Sequence, residues 1–286
     1  MTFLLYMTVF LISCFACRQY DFFVDNFVDS QNLKGNFWGR TLTLLVVGPP
    51  IFIYTFRALQ VGTDTQNYLM MYELNKHLSL FRYMELYGTY GHSHEYAYQL
   101  ILRISYLLGG GYNLVKFICG FLIVFIAWRG FLYYHKKFKV STALCMFFFY
   151  LLEFTYGFNG TRYAIALSIF LYSFRFIIEK DIVKYFICCF IMTMFHSSMT
   201  IAILFYLMNF SGYKILRENW KYVALVLLLV SVAMLRPLVI TILPYIEDVF
   251  FKVEAYDIDT SANYGMGIFV VFVLFLAPIL KWDKFI

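Results

Sequence analysis

An all-α, polytopic integral membrane protein is the fold class this sequence predicts, and three observations predict it. Of the 286 residues, 62% are hydrophobic and only 14% are charged, with a mean hydropathy of +0.71. A water-soluble domain is about 45–50% apolar and about 25% charged, so a soluble fold of this size has too few charges to cover the apolar surface. The apolar residues also gather in runs of spanning length, about 20 residues for a hydrocarbon core about 30 Å thick. An ordinary cytosolic enzyme, a disordered chain and a DNA-binding module are thereby excluded. The net charge of +6 comes from Lys and Arg scattered between apolar runs, so no nucleic-acid partner is expected. Cys14, Cys17, Cys119, Cys145, Cys188 and Cys189 lie inside apolar stretches, where Cys acts as a small hydrophobe rather than half of a disulfide.

The elements follow in chain order. Residues 1–17 are apolar and lack the basic flank of a signal peptide, so a retained span is expected. Cys14 closes a Leu11-Ile12-Ser13-Cys14 box and starts a C-x-x-C, but in an apolar run both read as packing. Residues 41–56 form the second span, and Pro49-Pro50 are expected to break its helical ladder. Residues 57–95 carry charges and three His and form a polar extramembrane segment. Residues 96–108 are apolar but short, hold Arg103, and end at Gly109-Gly110-Gly111, which predicts an interfacial or re-entrant helix with Arg103 snorkelling.

Further spans are expected at 113–134, 140–158 and 163–178. From Ile182 to Phe210 the apolar run is too long for one span, and His196-Ser197-Ser198 marks the turn between two. Residues 221–235 and 264–280 complete about nine spans plus the short helix. Residues 1–286 read as a single polytopic domain with polar segments at 57–95 and 237–263. Lys136, Lys137 and Lys139, then Lys180 and Lys184, then Lys214, Arg217 and Lys221, then Lys281 and Lys284 alternate as cytoplasmic markers. This orientation puts 57–95, Asn159–Arg162, His196–Ser198 and 237–263 on the outer face.

The ionisable residues of those four segments are functional candidates, since charge at membrane depth costs about 2.5–3.5 kcal/mol on insertion scales. Arg162 stands out because it opens an apolar helix, where a cation opposes the helix dipole. An anion facing Arg162 and the adjacent N–H groups resolves that conflict. His92, His94 and Glu95 have metal-ligand chemistry but no fourth ligand at fixed spacing, so no metal is expected. Tyr68, Tyr87, Tyr90, Tyr96 and Tyr98 suit sugar stacking and an interfacial aromatic belt equally.

Arg57-Ala-Leu-Gln-Val-Gly62-Thr63-Asp64 with Tyr68, then Glu95, then Asn159-Gly-Thr-Arg162, then Phe195-His196-Ser197-Ser198, resembles the EpsG family in identity, order and spacing. The resemblance covers about residues 50–210. Two positions depart from the family's common pattern: Tyr163 follows Arg162 and Tyr96 follows Glu95. The family is similar to the Wzy-type polymerases of bacterial surface polysaccharides. The resemblance implies a multi-pass protein of the cytoplasmic membrane that joins undecaprenyl-diphosphate-linked repeat units at its outer face, for O-antigen, capsule or exopolysaccharide. It implies no cofactor, and a flippase and chain-length regulator of the same pathway as partners beside membrane lipid. Arg57 and Arg162 would hold the diphosphate, and Asp64, Glu95 or His196 would take the acceptor proton. Tyr68, Glu95, Asn159 and Ser197 would bind substrate. A carboxylate beside two Arg is expected below its ordinary pKa, which favours His196 as base and Asp64 as orienting group. The competing readings are a lipid-linked oligosaccharide flippase and a membrane acyltransferase. A flippase would place polar groups at mid-membrane in internal repeats, and an acyltransferase would place a His-rich site on the cytoplasmic side.

Overall fold

The computed structural model describes residues 2–27, 37–77 and 96–208. The chain divides into two compact units, Met1–Tyr206 and Leu207–Ile286. Outside the described residues lie the expected spans at 221–235 and 264–280, the segment 237–263, and Tyr87, Tyr90, His92, His94 and Glu95. The markers Lys214, Arg217, Lys221, Lys281 and Lys284 lie outside them too.

Every element of the described residues is helical: α1 Thr2–Phe27, α2 Phe37–Phe56, α3 Thr65–His77, α4 Tyr96–Leu107, α5 Gly111–Phe138, α6 Thr142–Phe149, α7 Thr161–Ile178, α8 Ile182–Phe195 and α9 Ala202–Met208. A π-turn over Tyr150–Phe154 continues α6, and a 3-10 turn over Ser197–Ile201 precedes α9. Among the described residues four helices are long and apolar enough to cross a membrane, at Phe3–Asn26, Phe37–Phe56, Gly111–Phe138 and Thr161–Ile178. Shorter apolar helices at Thr142–Phe154 and Ile182–Phe195 occupy two more of the expected positions. Helix α4 has 12 residues, about 18 Å at 1.5 Å per residue, well short of a hydrocarbon core. The expected division at His196 is present: His196 is extended (φ −153°, ψ 116°), and its N–H closes α8 on the Met192 carbonyl.

Helix α2 departs from expectation, because it runs unbroken through Pro49 and Pro50. Pro50 has no N–H for the Val46 carbonyl, four residues back. The Ser13 hydroxyl of α1 donates to that carbonyl at 2.6 Å and also meets the Tyr150 hydroxyl at 2.7 Å. A neighbouring helix thus supplies the missing donor, as membrane helices with internal Pro require.

Helix α1 packs on α2 and α6, α2 on α5, α5 on α7, and α7 on α8. The centre is apolar: Ile123, Val124, Ala127 and Trp128 of α5 and the Ala164–Leu167 stretch and Phe170 of α7 are all buried. Gly130 sets the α5–α7 approach, because a Cβ there would lie 3.1 Å from the Tyr172 Cα. At the far end of α5, buried His135 lies 3.7 Å from Asp21 and 3.3 Å from Asp25, and the Asp21 carboxylate accepts the Thr142 N–H that opens α6. Helices α3 and α4 pack together, and α4 also contacts α5 and α8. Arg103 does more than snorkel: its Nη1 donates to the Asn75 carbonyl at 3.1 Å, tying α4 to the last turn of α3.

Candidate functional site

The site begins where α2 ends. Arg57 follows the last residue of α2 and is only 6% exposed. Its guanidinium lies over the Tyr54 ring, 4.0 Å from Cζ to centroid, and 4.9 Å from the Phe158 centroid. The Tyr54 hydroxyl continues inward, bonding the Gly157 carbonyl at 2.9 Å and the Thr161 hydroxyl at 2.8 Å. Tyr54 therefore links Arg57 on one side to the first turn of α7 on the other.

The loop after Arg57 is seated on the turn before α7. Gly62 has φ +97°, and a Cβ there would lie 2.4 Å from the Phe158 carbonyl oxygen, so only glycine fits this close approach. The Thr63 N–H donates to the Asn159 carboxamide oxygen at 2.7 Å. The Thr65 hydroxyl bonds the Val61 carbonyl at 2.9 Å and reaches the Phe158 carbonyl at 3.4 Å. Two motifs far apart in sequence thus form one surface.

Arg162 stands in the first turn of α7. It lies over the Tyr68 ring, 5.6 Å from Cζ to centroid, and attracts the Asp64 carboxylate. Asp64 is the anion that a cation at this helix end called for. The Asp64 carboxyl nonetheless departs from expectation: burial holds its pKa above the ordinary value, and the Arg162 charge only partly offsets that. Burial likewise raises the Tyr68 phenol, so it stays neutral, and its oxygen accepts from the Arg162 guanidinium.

Asp64, Tyr68, Asn159 and Arg162 are therefore together, and Arg57 adjoins them through Tyr54. His196 joins through Tyr163, whose ring it meets edge-on at 5.7 Å between centroids. Ser197 is exposed, and its carbonyl accepts the Thr200 hydroxyl within the 3-10 turn. Glu95 lies outside the described residues.

Two further charged groups belong to this end of the molecule. Lys116 of α5 is 5% exposed and donates to the Arg57 carbonyl at 3.2 Å. Glu153 sits in the π-turn, close enough to Tyr156 and Tyr163 to act on both electrostatically. Each is a charge inside an otherwise apolar run, and that isolation is the sequence signal that marks them. Their π-turn and helix-end positions are tertiary information, and π-turns often mark functional sites.

The model of the EpsG family matches residues 40–286, which include every residue of the site. No curated protein and no solved structure matches the chain.

Proposed function

The chain belongs to the EpsG family, membership that points to a membrane protein of polysaccharide biosynthesis, and on that premise we propose that it is a polysaccharide polymerase. It transfers a growing oligosaccharide from undecaprenyl diphosphate to the sugar hydroxyl of a lipid-linked repeat unit, at the outer face of the cytoplasmic membrane of a bacterium. The observation that carries this reading is the seating of the Gly62–Asp64 loop on Asn159, which sets Asp64 and Tyr68 against Arg162 at the start of α7.

The chemistry needs few parts. The acceptor oxygen forms a bond to the anomeric carbon, the bond from that carbon to the diphosphate oxygen breaks, and its electron pair leaves with the lipid diphosphate. The acceptor proton passes to a base. A diphosphate is already a good leaving group, so cations are the main requirement, and Arg offers a planar fork that stays charged. In this reading Arg57 and Arg162 hold the diphosphate. Asp64 takes the proton, because burial raises its basicity toward the working pH. His196 borders the acceptor side, its ring edge-on to Tyr163.

The glycan profile of a strain lacking the gene tests the reading. Loss of long chains with single repeat units retained is the expected result. Loss of every surface-exposed unit would assign the protein to flipping instead. The deletion should be complemented by the wild-type chain and not by Arg162→Ala, provided the variant accumulates in the membrane.

A further inference from the structure

Arg57 and Lys116 are both about nineteen-twentieths buried, at 6% and 5% exposure, and both are cations. The Lys116 ammonium sits against Arg57's own backbone, bonded to its carbonyl at 3.2 Å, and lies 5.7 Å from the Tyr112 ring centroid. The guanidinium of Arg57 is walled by the Tyr54 and Phe158 rings. Its Nε and Nη1 are buried and make no hydrogen bond among the described residues, and neither cation has a carboxylate partner there. Buried donors are almost always satisfied, and a buried charge is normally paired. Here two positive charges share one corner instead, close enough to repel.

We propose that Arg57 and Lys116 together form a buried binding site for a phosphoryl anion, with Lys116 as its second cation. The proposal deepens the polymerase reading, and rests on it for the identity of the molecule that carries the anion. Capping explains part of Lys116: its bond to the Arg57 carbonyl satisfies an acceptor at the end of α2. That bond uses one of three ammonium protons, and it leaves the Arg57 donors as they were. An anion between the two groups satisfies Nε and Nη1 of the guanidinium, takes the remaining ammonium protons and removes the repulsion at once. The aromatic walls favour a compact anion and exclude water, which strengthens the attraction. Arg162, beside Asp64, remains the diphosphate contact on the α7 side.

The test uses the purified full-length protein in lipid nanodiscs. Affinity is measured for inorganic diphosphate and for a long-chain isoprenyl diphosphate, with melting temperature followed in parallel. Lys116→Gln keeps a donor for the Arg57 carbonyl and removes the charge. It should weaken binding by about ten- to a hundred-fold, the worth of one charge-assisted hydrogen bond. Lys116→Arg should retain most of the affinity. Binding of both ligands supports a site for the anion itself, and binding of the isoprenyl form alone supports a lipid headgroup site. Wild-type affinity in Lys116→Gln, or no binding of either ligand by the wild type, overturns the proposal. If Lys116→Gln does not accumulate, Arg57→Lys carries the test, since loss of the fork must weaken binding. Diphosphate binding through Lys116 in a protein that builds no polymer upholds the anion site and ends the polymerase reading. Normal polymer and unchanged binding in Lys116→Gln overturn the anion site and leave that reading standing.

Discussion

The Thr63 N–H and the Asn159 carboxamide oxygen meet at 2.7 Å across 96 residues of chain. With the Thr65 and Gly62 contacts on Phe158, this bond joins the loop that carries Asp64 to the turn that opens α7. Asn159→Ala removes the acceptor and leaves the helix itself intact. Polymer length in complemented cells should fall, with protein in the membrane near wild-type amount. Asn159→Asp keeps an acceptor oxygen and should recover much of the loss. Equal length in the wild type and Asn159→Ala would show that the loop is positioned by Gly62 and Thr65 alone.

Asp64 gives a stability prediction with a definite sign. Burial favours its protonated form in the folded chain, so folding takes up a proton between the ordinary value of 3.8 and the raised folded value. The folded chain is favoured below 3.8, and that advantage is lost as pH rises through the folded value. Asp64→Asn, neutral throughout, should melt higher than the wild type at pH 7. The gap should close as the pH is lowered toward 4. A lower melting temperature for Asp64→Asn at pH 7 would mean that attraction to Arg162 outweighs burial.

The base is tested by the pH dependence of transfer with lipid-linked repeat units. A carboxylate base must be ionised, so the rate should rise with pH through the raised Asp64 value. Asp64→Asn should lose most of the rate together with that acidic limb. His196→Gln should keep the limb, because Asp64 is the carboxylate set against Arg162. If His196→Gln loses the limb and Asp64→Asn keeps it, the proton goes to the imidazole.

Arg162→Lys asks whether the planar fork matters. A point charge preserves the attraction to Asp64 but loses bidentate contact with a diphosphate. Transfer should fall by about ten- to a hundred-fold. Chain length near that of the wild type would show that charge alone suffices at this position.

Ser13→Ala tests how α2 tolerates its two prolines. The change strips the Val46 carbonyl of its donor and the Tyr150 hydroxyl of its partner. Polar contacts between membrane helices are worth about 0.6 kcal/mol on average and up to about 1.7 kcal/mol. A loss of about 1 kcal/mol is expected in an unfolding assay in detergent, and Ser13→Thr should restore part of it. No loss would assign the continuity of α2 to backbone adjustment within the helix.

The sequence by itself determined the helical class and, among the described residues, the positions of the apolar helices and the turn at His196. These are local matters: a run of apolar residues must satisfy its own backbone, and its length is read along the chain. It also marked the candidate motifs, since charges in apolar surroundings are conspicuous from composition alone. Only the tertiary structure decided how those motifs meet. It set Arg162 beside Asp64 and Tyr68, and put Arg57 behind Tyr54 with Lys116. It also reversed the expected direction of the Asp64 pKa, because burial depends on everything packed around a carboxylate and not on the nearest Arg. Helix α2 makes the same point: the break at Pro49-Pro50 is a correct reading of the peptide alone. The Ser13 hydroxyl that answers Val46 comes from a different helix, and sequence periodicity does not encode which helices become neighbours.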